Sequence, residues 1–227
     1  MNDSVVSATD LRLRFGSTQA LAGASIAVAA GEIVSVVGPS GSGKSTLLHC
    51  LAGILVPDSG EVTFRSQPVH SMSEAARTRL RRDNFGFVFQ FGQLVPELTA
   101  IDNVALPLRL RGGSRRNAAD AARGWLERLG VADVAGKRPG EMSGGQQQRV
   151  AVARAMVADP AVIFADEPTG ALDSLNGEQV MELLTVAARE RDVSVVLVTH
   201  DVRVSSYADR DVVVRDGRVA VPSGLVP

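Results

Sequence analysis

One cysteine, Cys50, among 227 residues leaves no partner for an intramolecular disulfide, which makes a reducing compartment the natural setting. Its apolar neighbours mark it as a small core residue. Charge of one sign is equally lacking: 24 Lys and Arg stand against 25 Asp and Glu, a net charge of −1. No global field therefore draws the chain to nucleic acid or to an anionic membrane, and such a role would need a local patch. No apolar run approaches the roughly 18 residues of a membrane-spanning helix. Ile26 to Val37 is broken by Gly31-Glu32, and Val193 to Val198 has strand length. Met1-Asn2-Asp3-Ser4 has neither the basic region nor the apolar run of an export signal, so none is expected there, and no regulatory domain is expected after the last strands. The remainder, 45% hydrophobic and 22% charged, has the composition of an ordinary globular protein with ample core.

What is present is organised around Gly38-Pro39-Ser40-Gly41-Ser42-Gly43-Lys44-Ser45, followed by Thr46. The spacing G-x-x-x-x-G-K-[ST] is that of a phosphate-binding loop. The β-branched run Ile33 to Val37 reads as a strand entering it, and Leu47 to Ala52 continues it with helical periodicity. Glycines 38, 41 and 43 let successive backbone N–H groups face one point, at the positive end of the following helix. Lys44 is then placed for the β- and γ-phosphates, Ser45 for Mg²⁺, and Thr46 for a phosphate oxygen.

Alternation in Leu11-Arg12-Leu13-Arg14-Phe15 predicts a strand over Val5 to Phe15, turned by Gly16-Ser17 into a partner over Leu21 to Ala29. A ring at Phe15, on the strand end, serves either to stack on a nucleotide base or simply to pack. Val56 to Glu61 signals a turn before a strand at Val62 to Phe64. An arginine-rich helix is expected over Ser73 to Arg82, and a short strand over Phe85 to Phe89 ends at Gln90. The basic stretches here and at Arg109 to Arg116 read as solvated surface, with nucleic acid or lipid headgroups as the alternative. Phe91 to Pro96 is apolar without a period, the mark of a docking surface. Helices follow over Ala100 to Arg111, capped by Thr99 and containing Pro107, and over Ser114 to Leu129. The second carries Ala118, Ala121, Ala122, Trp125, Leu126 and Leu129 on one side.

Ser143-Gly144-Gly145-Gln146 opens a further helix and makes a second anion-seeking helix start. The buried-strand run Ala161 to Asp166 ends in a carboxylate. An acid at the carboxyl end of a strand neighbouring a phosphate loop holds Mg²⁺, and Glu167 beside it is suited to polarise an attacking water. Ala171-Leu172-Asp173 leads to a helix over Glu178 to Arg191, and the strand Val193 to Thr199 ends at His200, suited to sense a γ-phosphate on the same rim. Asp211 to Val214 and Arg218 to Val221 form a closing hairpin around Asp216-Gly217.

These motifs, in this order over nearly the whole chain, resemble the ATP-binding subunit of an ABC transporter, with the Ser-Gly-Gly-Gln stretch the most specific of them. The resemblance implies an α/β fold: a phosphate-loop NTPase core with an antiparallel β subdomain and an inserted α-helical subdomain. It implies one domain over 1–227, with core and β subdomain at 1–90 and 160–227 and the helical subdomain at 91–159. It further implies two such subunits paired head to tail over two ATP molecules with Mg²⁺. By the same analogy Phe15 stacks on adenine and Gln90 senses both Mg²⁺ and the membrane partner. Ser45 and Asp166 hold Mg²⁺, Glu167 is the general base, Lys44 and His200 contact the γ-phosphate, and Asp173 communicates across the pair. Ser143, Gly144, Gly145 and Gln146 of one subunit face the phosphates held by the other. The partner implied is a separate membrane permease contacted through Gln90 to Leu98, with the subunit held at the cytoplasmic face and no nucleic acid bound.

Phe15 stands where the family usually has tyrosine, Met142 where it has leucine, and Gly170 where it often has serine. Pro168-Thr169-Gly170, Phe87-Val88-Phe89-Gln90, Leu94 to Thr99 and Asn103-Val104 are similar to the subgroup of macrolide exporters, lipoprotein-release systems and antimicrobial-peptide resistance transporters. The alternative roles are a regulatory ATPase signalling to a cell-wall or cell-division partner, and a soluble ABC protein of DNA repair or translation. The second is disfavoured, because neither a long coiled-coil insertion nor a second ATP-binding domain is found in the chain.

Overall fold

Alternating residues at the amino terminus and continuous apolar runs further on fold into two different sheets. The computed structural model describes residues 4–220, so Met1 to Asp3 and the expected strand end at Val221 lie outside the described residues. Strands β1 (Ser4–Phe15) and β2 (Thr18–Ala29) pair antiparallel, with Leu11 and Leu13 buried and Arg12 and Arg14 exposed between and beyond them. A bulge at Asp10, whose φ is +48°, breaks their register. Strand β3 (Ile33–Val37) runs through the phosphate-loop sequence into helix α1 (Lys44–Leu51). Strands β4 (Ser59–Phe64) and β5 (Gln67–Pro68) then complete a four-stranded antiparallel sheet of order β2-β1-β4-β5. The strand expected from Val62 thus begins at Ser59. Gly60, at φ +94°, lies so close to the Asp10 bulge that a side chain on it would meet the Asp10 carbonyl oxygen at 2.4 Å, so turn residues have been taken into the strand.

Helix α2 (Glu74–Asn84), capped by Ser73, leads to β6 (Phe85–Phe89). The helical segment is α3 (Ala100–Leu110), α4 (Arg115–Arg128) and α5 (Gly144–Met156), each started by a hydroxyl cap, from Thr99, Ser114 and Ser143. Ala121 was expected on the buried side of α4 and is exposed, at the flank of its apolar stripe. Strand β7 (Val162–Asp166), helix α6 (Ser174–Glu190), strand β8 (Ser194–Val198), the short helix α7 (Val202–Ser205) and strands β9 (Arg210–Arg215) and β10 (Arg218–Val219) finish the fold. Helix α6 starts four residues before the expected Glu178. The Asp173 carboxylate caps it by accepting from the Asn176 N–H at 2.9 Å, which outweighs the low helix propensity of Asn176 and Gly177.

The second sheet has the order β10-β9-β3-β8-β7-β6 and is parallel except for β10. Strand β7 was expected beside β3; β8 lies between them. Both faces are covered, which is why these strands are apolar throughout. Val195 and Leu197 of β8, with Ile163 and Ala165 of β7, face the core shared with α3 to α6. Val196 and Val198, with Val162 and Phe164, face α1 and the antiparallel sheet. There Phe85 packs edge-on against both Phe64 and Phe164, with centroids 5.1 Å apart in each pair. Among the described residues no helix is long and apolar enough to cross a membrane.

Cys50 lies on α1 in this second core. Burial first, and the Asp58 charge second, push its thiol up to about 12. At mildly alkaline pH the native protein should therefore consume a thiol reagent only as fast as it unfolds, while the chain in guanidinium reacts at once. Prompt stoichiometric labelling of the native protein would contradict this burial.

Candidate active site

Parallel pairing decides which residues meet. Phe89, Asp166, Val198 and Val36 are successive register partners across β6, β7, β8 and β3. The residues that follow these register partners, Gln90, Glu167, Thr199-His200 and Val37-Gly38, are thereby delivered to one edge of the sheet.

The phosphate loop is held there by close backbone packing. A side chain on Gly38 would stand 2.1 Å from the Val214 carbonyl oxygen, and one on Gly43 2.4 Å from that of Ala20, so both positions require glycine. Gly43 also begins α1 with φ +103° and no side-chain cap, which leaves the first-turn amides free to receive an anion. Lys44 is only 8% exposed, and its Nζ donates to the carbonyls of Gly38 at 2.8 Å and Pro39 at 2.9 Å. Ser42 Oγ is buried without a hydrogen-bond partner. Free amides, an ammonium and an unpartnered hydroxyl around one loop fit a polyphosphate. Phe15 is 52% exposed on the β1–β2 hairpin. That hairpin also carries Ala20, which packs on Gly43.

Ser45 Oγ donates to Asp166 Oδ1 at 3.1 Å, so α1 bridges the strand that separates β3 from β7. Burial pushes the Asp166 carboxyl above the usual carboxylate range and the Glu167 charge reinforces this, while the Ser45 hydrogen bond, His49 and Lys44 pull it down. Glu167 sits at φ +48°, uncommon for a side chain of its size, and its N–H donates to the Val198 carbonyl at 2.9 Å. Its Oε1 lies 2.7 Å from His200 Nδ1. Gln90 lies across Gly170, where a side chain would strike its Nε2 at 2.7 Å. The glycine that departs from the family's frequent serine is thus in contact with the Gln90 side chain. Among the described residues no hydrogen bond joins Gln90 to Ser45 or Asp166.

The serine-diglycine turn is elsewhere. Ser143 Oγ accepts from the Gln146 N–H at 3.3 Å, and Gln146 Oε1 accepts from the Ser143 N–H at 2.9 Å. Gly144 and Gly145 pack against Leu172 and Asn176, beside Asp173. Two hydrogen bonds from Asn176, the backbone one first, hold the Asp173 carboxyl below its ordinary range. Among the described residues no hydrogen bond connects residues 143–146 with the phosphate loop.

Three further residues organise this region without having been singled out for it in the sequence. Asn103, fully buried, accepts from the Val95 N–H and donates to the carbonyls of Val95, Leu98 and Thr99. Gln148, 2% exposed, donates to the Phe89 carbonyl at 2.9 Å, and Arg154 donates to those of Gly92 and Gln93 at 2.8 Å each. The available signal was a polar residue on the apolar face of a periodic helix.

A family model described as ABC transporter matches residues 21–170. The chain belongs to the ABC transporter family. Within it, the chain is 44% identical over 220 residues to the lipoprotein-releasing system ATP-binding protein LolD of Geobacter metallireducens, covering 95% of this chain and 98% of that protein. It is 40% identical over 227 residues to LolD of Hydrogenovibrio crunogenus, with 98% and 99% covered. A dimeric post-hydrolysis state of the ATP-binding cassette MJ0796 bound to ADP and Pi superposes with TM-score 0.88 at 39% identity, covering 95% and 97% of the two chains. The dimeric structure of MJ0796, a bacterial ABC transporter cassette, gives 0.89 at 38% with the same coverage. This ABC protein is accordingly an ATP-binding, ATP-hydrolysing subunit. Among the described residues no cluster of three or more His, Cys, Asp or Glu is formed, and Mg²⁺ needs none, because phosphates and water complete its shell. The Ser45 and Asp166 oxygens are the hard donors that fit it.

Because burial raises the Asp166 carboxyl, the folded state holds this proton more tightly than the unfolded chain does. The group's contribution to stability falls as pH rises from the unfolded value through the folded one. Asp166→Asn should therefore melt higher than the parent at neutral pH without nucleotide, by about 2–4 °C for each kcal/mol relieved. The same variant should lose the Mg²⁺-dependent part of stabilisation by ATP in thermal shift assays. A lower melting point without nucleotide would show that Asp166 is not strained by its burial.

Proposed function

We propose that two copies of this chain close face to face on ATP and drive a separate membrane permease, held at the cytoplasmic face of the membrane. The observation that carries this reading is the division of the site: one edge of the sheet gathers Lys44, Ser45, Asp166, Glu167 and His200, while the anion-seeking turn at Ser143 to Gly145 lies against Leu172 and Asn176 instead. One copy supplies each half, and Asp173 lies where the two halves adjoin. Dimerisation of the MJ0796 cassette supports the pairing.

In each site Phe15 stacks on the adenine ring, and the loop amides, Lys44, Ser40, Ser42 and Thr46 bind the phosphates. The partner copy's serine-diglycine turn caps the γ-phosphate. Ser45 and Asp166, with Gln90 beside them, would hold Mg²⁺, which would supply positive charge against the phosphate oxygens. Glu167 takes the proton from a water whose oxygen attacks the γ-phosphorus in line, and the bond to the β–γ bridging oxygen breaks with its electron pair leaving on ADP. The 2.7 Å contact with His200 fixes which way the Glu167 carboxylate faces. Charge accumulating on the transferring group is met by groups already in place, which is where such sites gain most.

For the permease, a cavity of about 420 Å³ lies between β6 and α3, floored by Phe85, Phe87 and Phe89 and walled by Leu106, Pro107 and Leu110. Gln93 lines it, and Phe91 is 70% exposed beside it. Within the docking segment Gln90 to Leu98, Leu94 packs against the helical core and Asn103 ties down Val95 and Leu98, which leaves Phe91 as its large exposed apolar group. The LolD relatives support lipoproteins as the class of cargo.

Glu167→Gln should retain ATP binding, accumulate as an ATP-bound dimer in size-exclusion chromatography and lose turnover by roughly 10²–10⁴-fold. An unchanged rate of phosphate release would remove Glu167 as the base. Phe91→Asp combined with Leu110→Asp should leave melting temperature and ATP affinity unaltered while abolishing co-purification with the permease. Full transport by that variant would refute the docking groove.

A further inference from the structure

The loop after β6 and the helix that begins with the serine-diglycine turn are joined by polar side chains acting on backbone. Arg154, in the last turns of α5, spends its guanidinium on two carbonyls, those of Gly92 and Gln93, and among the described residues no carboxylate pairs with it. Gln148, nearer the start of the same helix, holds the Phe89 carbonyl. Between these tethers the loop lies flush on the helix. Gly92, at φ +66°, would carry a side chain only 3.4 Å from the Gln147 carbonyl oxygen and 3.7 Å from the Ala151 methyl.

A helix of 13 residues is a stiff rod, about 1.5 Å per residue. Fastened at two points to residues 89–93, it cannot shift its first turn without carrying the loop along, nor can the loop move without turning the helix. Breaking the Arg154 tether would leave two carbonyls short of a donor and a partly desolvated cation unsatisfied, so the joint does not slip as an apolar contact would. We infer that Arg154 and Gln148 are positioning residues that pass movement between the loop at Gln90 to Gln93 and the Ser143 to Gly145 turn. They thereby couple the docking surface of one copy to the nucleotide it caps in the other. The inference rests on the face-to-face reading given above.

The test reads the loop while nucleotide closes the dimer. Phe91→Cys supplies an exposed thiol in a chain whose native Cys50 is buried and inert, so an environment-sensitive maleimide dye labels the loop alone. In a Glu167→Gln background, Mg²⁺ and ATP should shift the dye emission as the dimer forms. With Arg154→Met added, ATP affinity and the dimer seen by size exclusion should persist, while the shift falls severalfold. Arg154→Lys, which keeps the charge and one carbonyl bond, should restore part of it. A role in stability alone would lower the melting temperature and leave the shift in the folded fraction at its parental size; that result overturns the inference. If Arg154→Met does not fold, Arg154→Lys combined with Gln148→Leu decides by the same criterion. Absence of any shift in a parent that does dimerise also overturns the coupling. Absence of the dimer itself removes the face-to-face reading, and the coupling with it.

Discussion

Register in the parallel sheet is the constraint on which the rest of this molecule depends. Val36, Val198, Asp166 and Phe89 stand abreast. A slip of one residue in any of these pairings would turn a whole strand over and bury what should face the nucleotide. The slip is prevented by the two cores. Ile163 and Ala165 fit one and Val162 and Phe164 the other, and exchanging them would place a phenylalanine where alanine packs. The accuracy of this sheet edge is therefore set by apolar packing on both sides of the sheet and not by contacts among the polar groups it presents.

Those groups are individually unfavourable to the fold. Asp166 is a carboxylate raised by burial, Glu167 occupies a left-handed backbone conformation, and Ser42 Oγ lacks a partner. The last two each cost on the order of 1–3 kcal/mol in an ordinary setting. They gather within a few residues of the same sheet edge, which is where a triphosphate and its metal would satisfy them together. The local penalty and the ligand chemistry are two views of one arrangement.

Sequence exposed the parts of this arrangement that are local in the chain. The phosphate loop, the helix starts at Ser73, Thr99, Ser114 and Ser143, and the strands leading to Asp166 and His200 are written in consecutive residues. What it hid was non-local. Nothing near Val162 to Asp166 says that β8 intervenes before β3, because strand order is decided by crossover connections and not by composition. Asn176 and Gly177 read as helix breakers until Asp173 is seen to cap the turn they belong to. Ala121 satisfies the periodicity of α4 and still faces solvent, since a stripe has edges that only a neighbouring surface defines. Gln148 and Arg154 were hidden for a related reason. Their partners are carbonyl oxygens, which every residue has, so no side chain elsewhere announces them.

Bonds made to backbone constrain the chain differently from contacts between side chains. A contact between side chains can be lost or replaced without consequence for the path of the backbone, whereas Arg154 and Gln148 grip the backbone of residues 89–93 itself. That segment begins on the last residue of β6, whose phenylalanines floor the groove, and at the far end of α5 lies the turn at Ser143 to Gly145. Gln90, resting on Gly170, ties the same loop to the segment between Glu167 and Asp173. The groove, the Ser143 to Gly145 turn and the segment from Glu167 to Asp173 are thus joined through five consecutive backbone units. In a densely packed protein such a joint has few arrangements available to it, so a small displacement at one surface is met by a change of arrangement at the others instead of being absorbed locally.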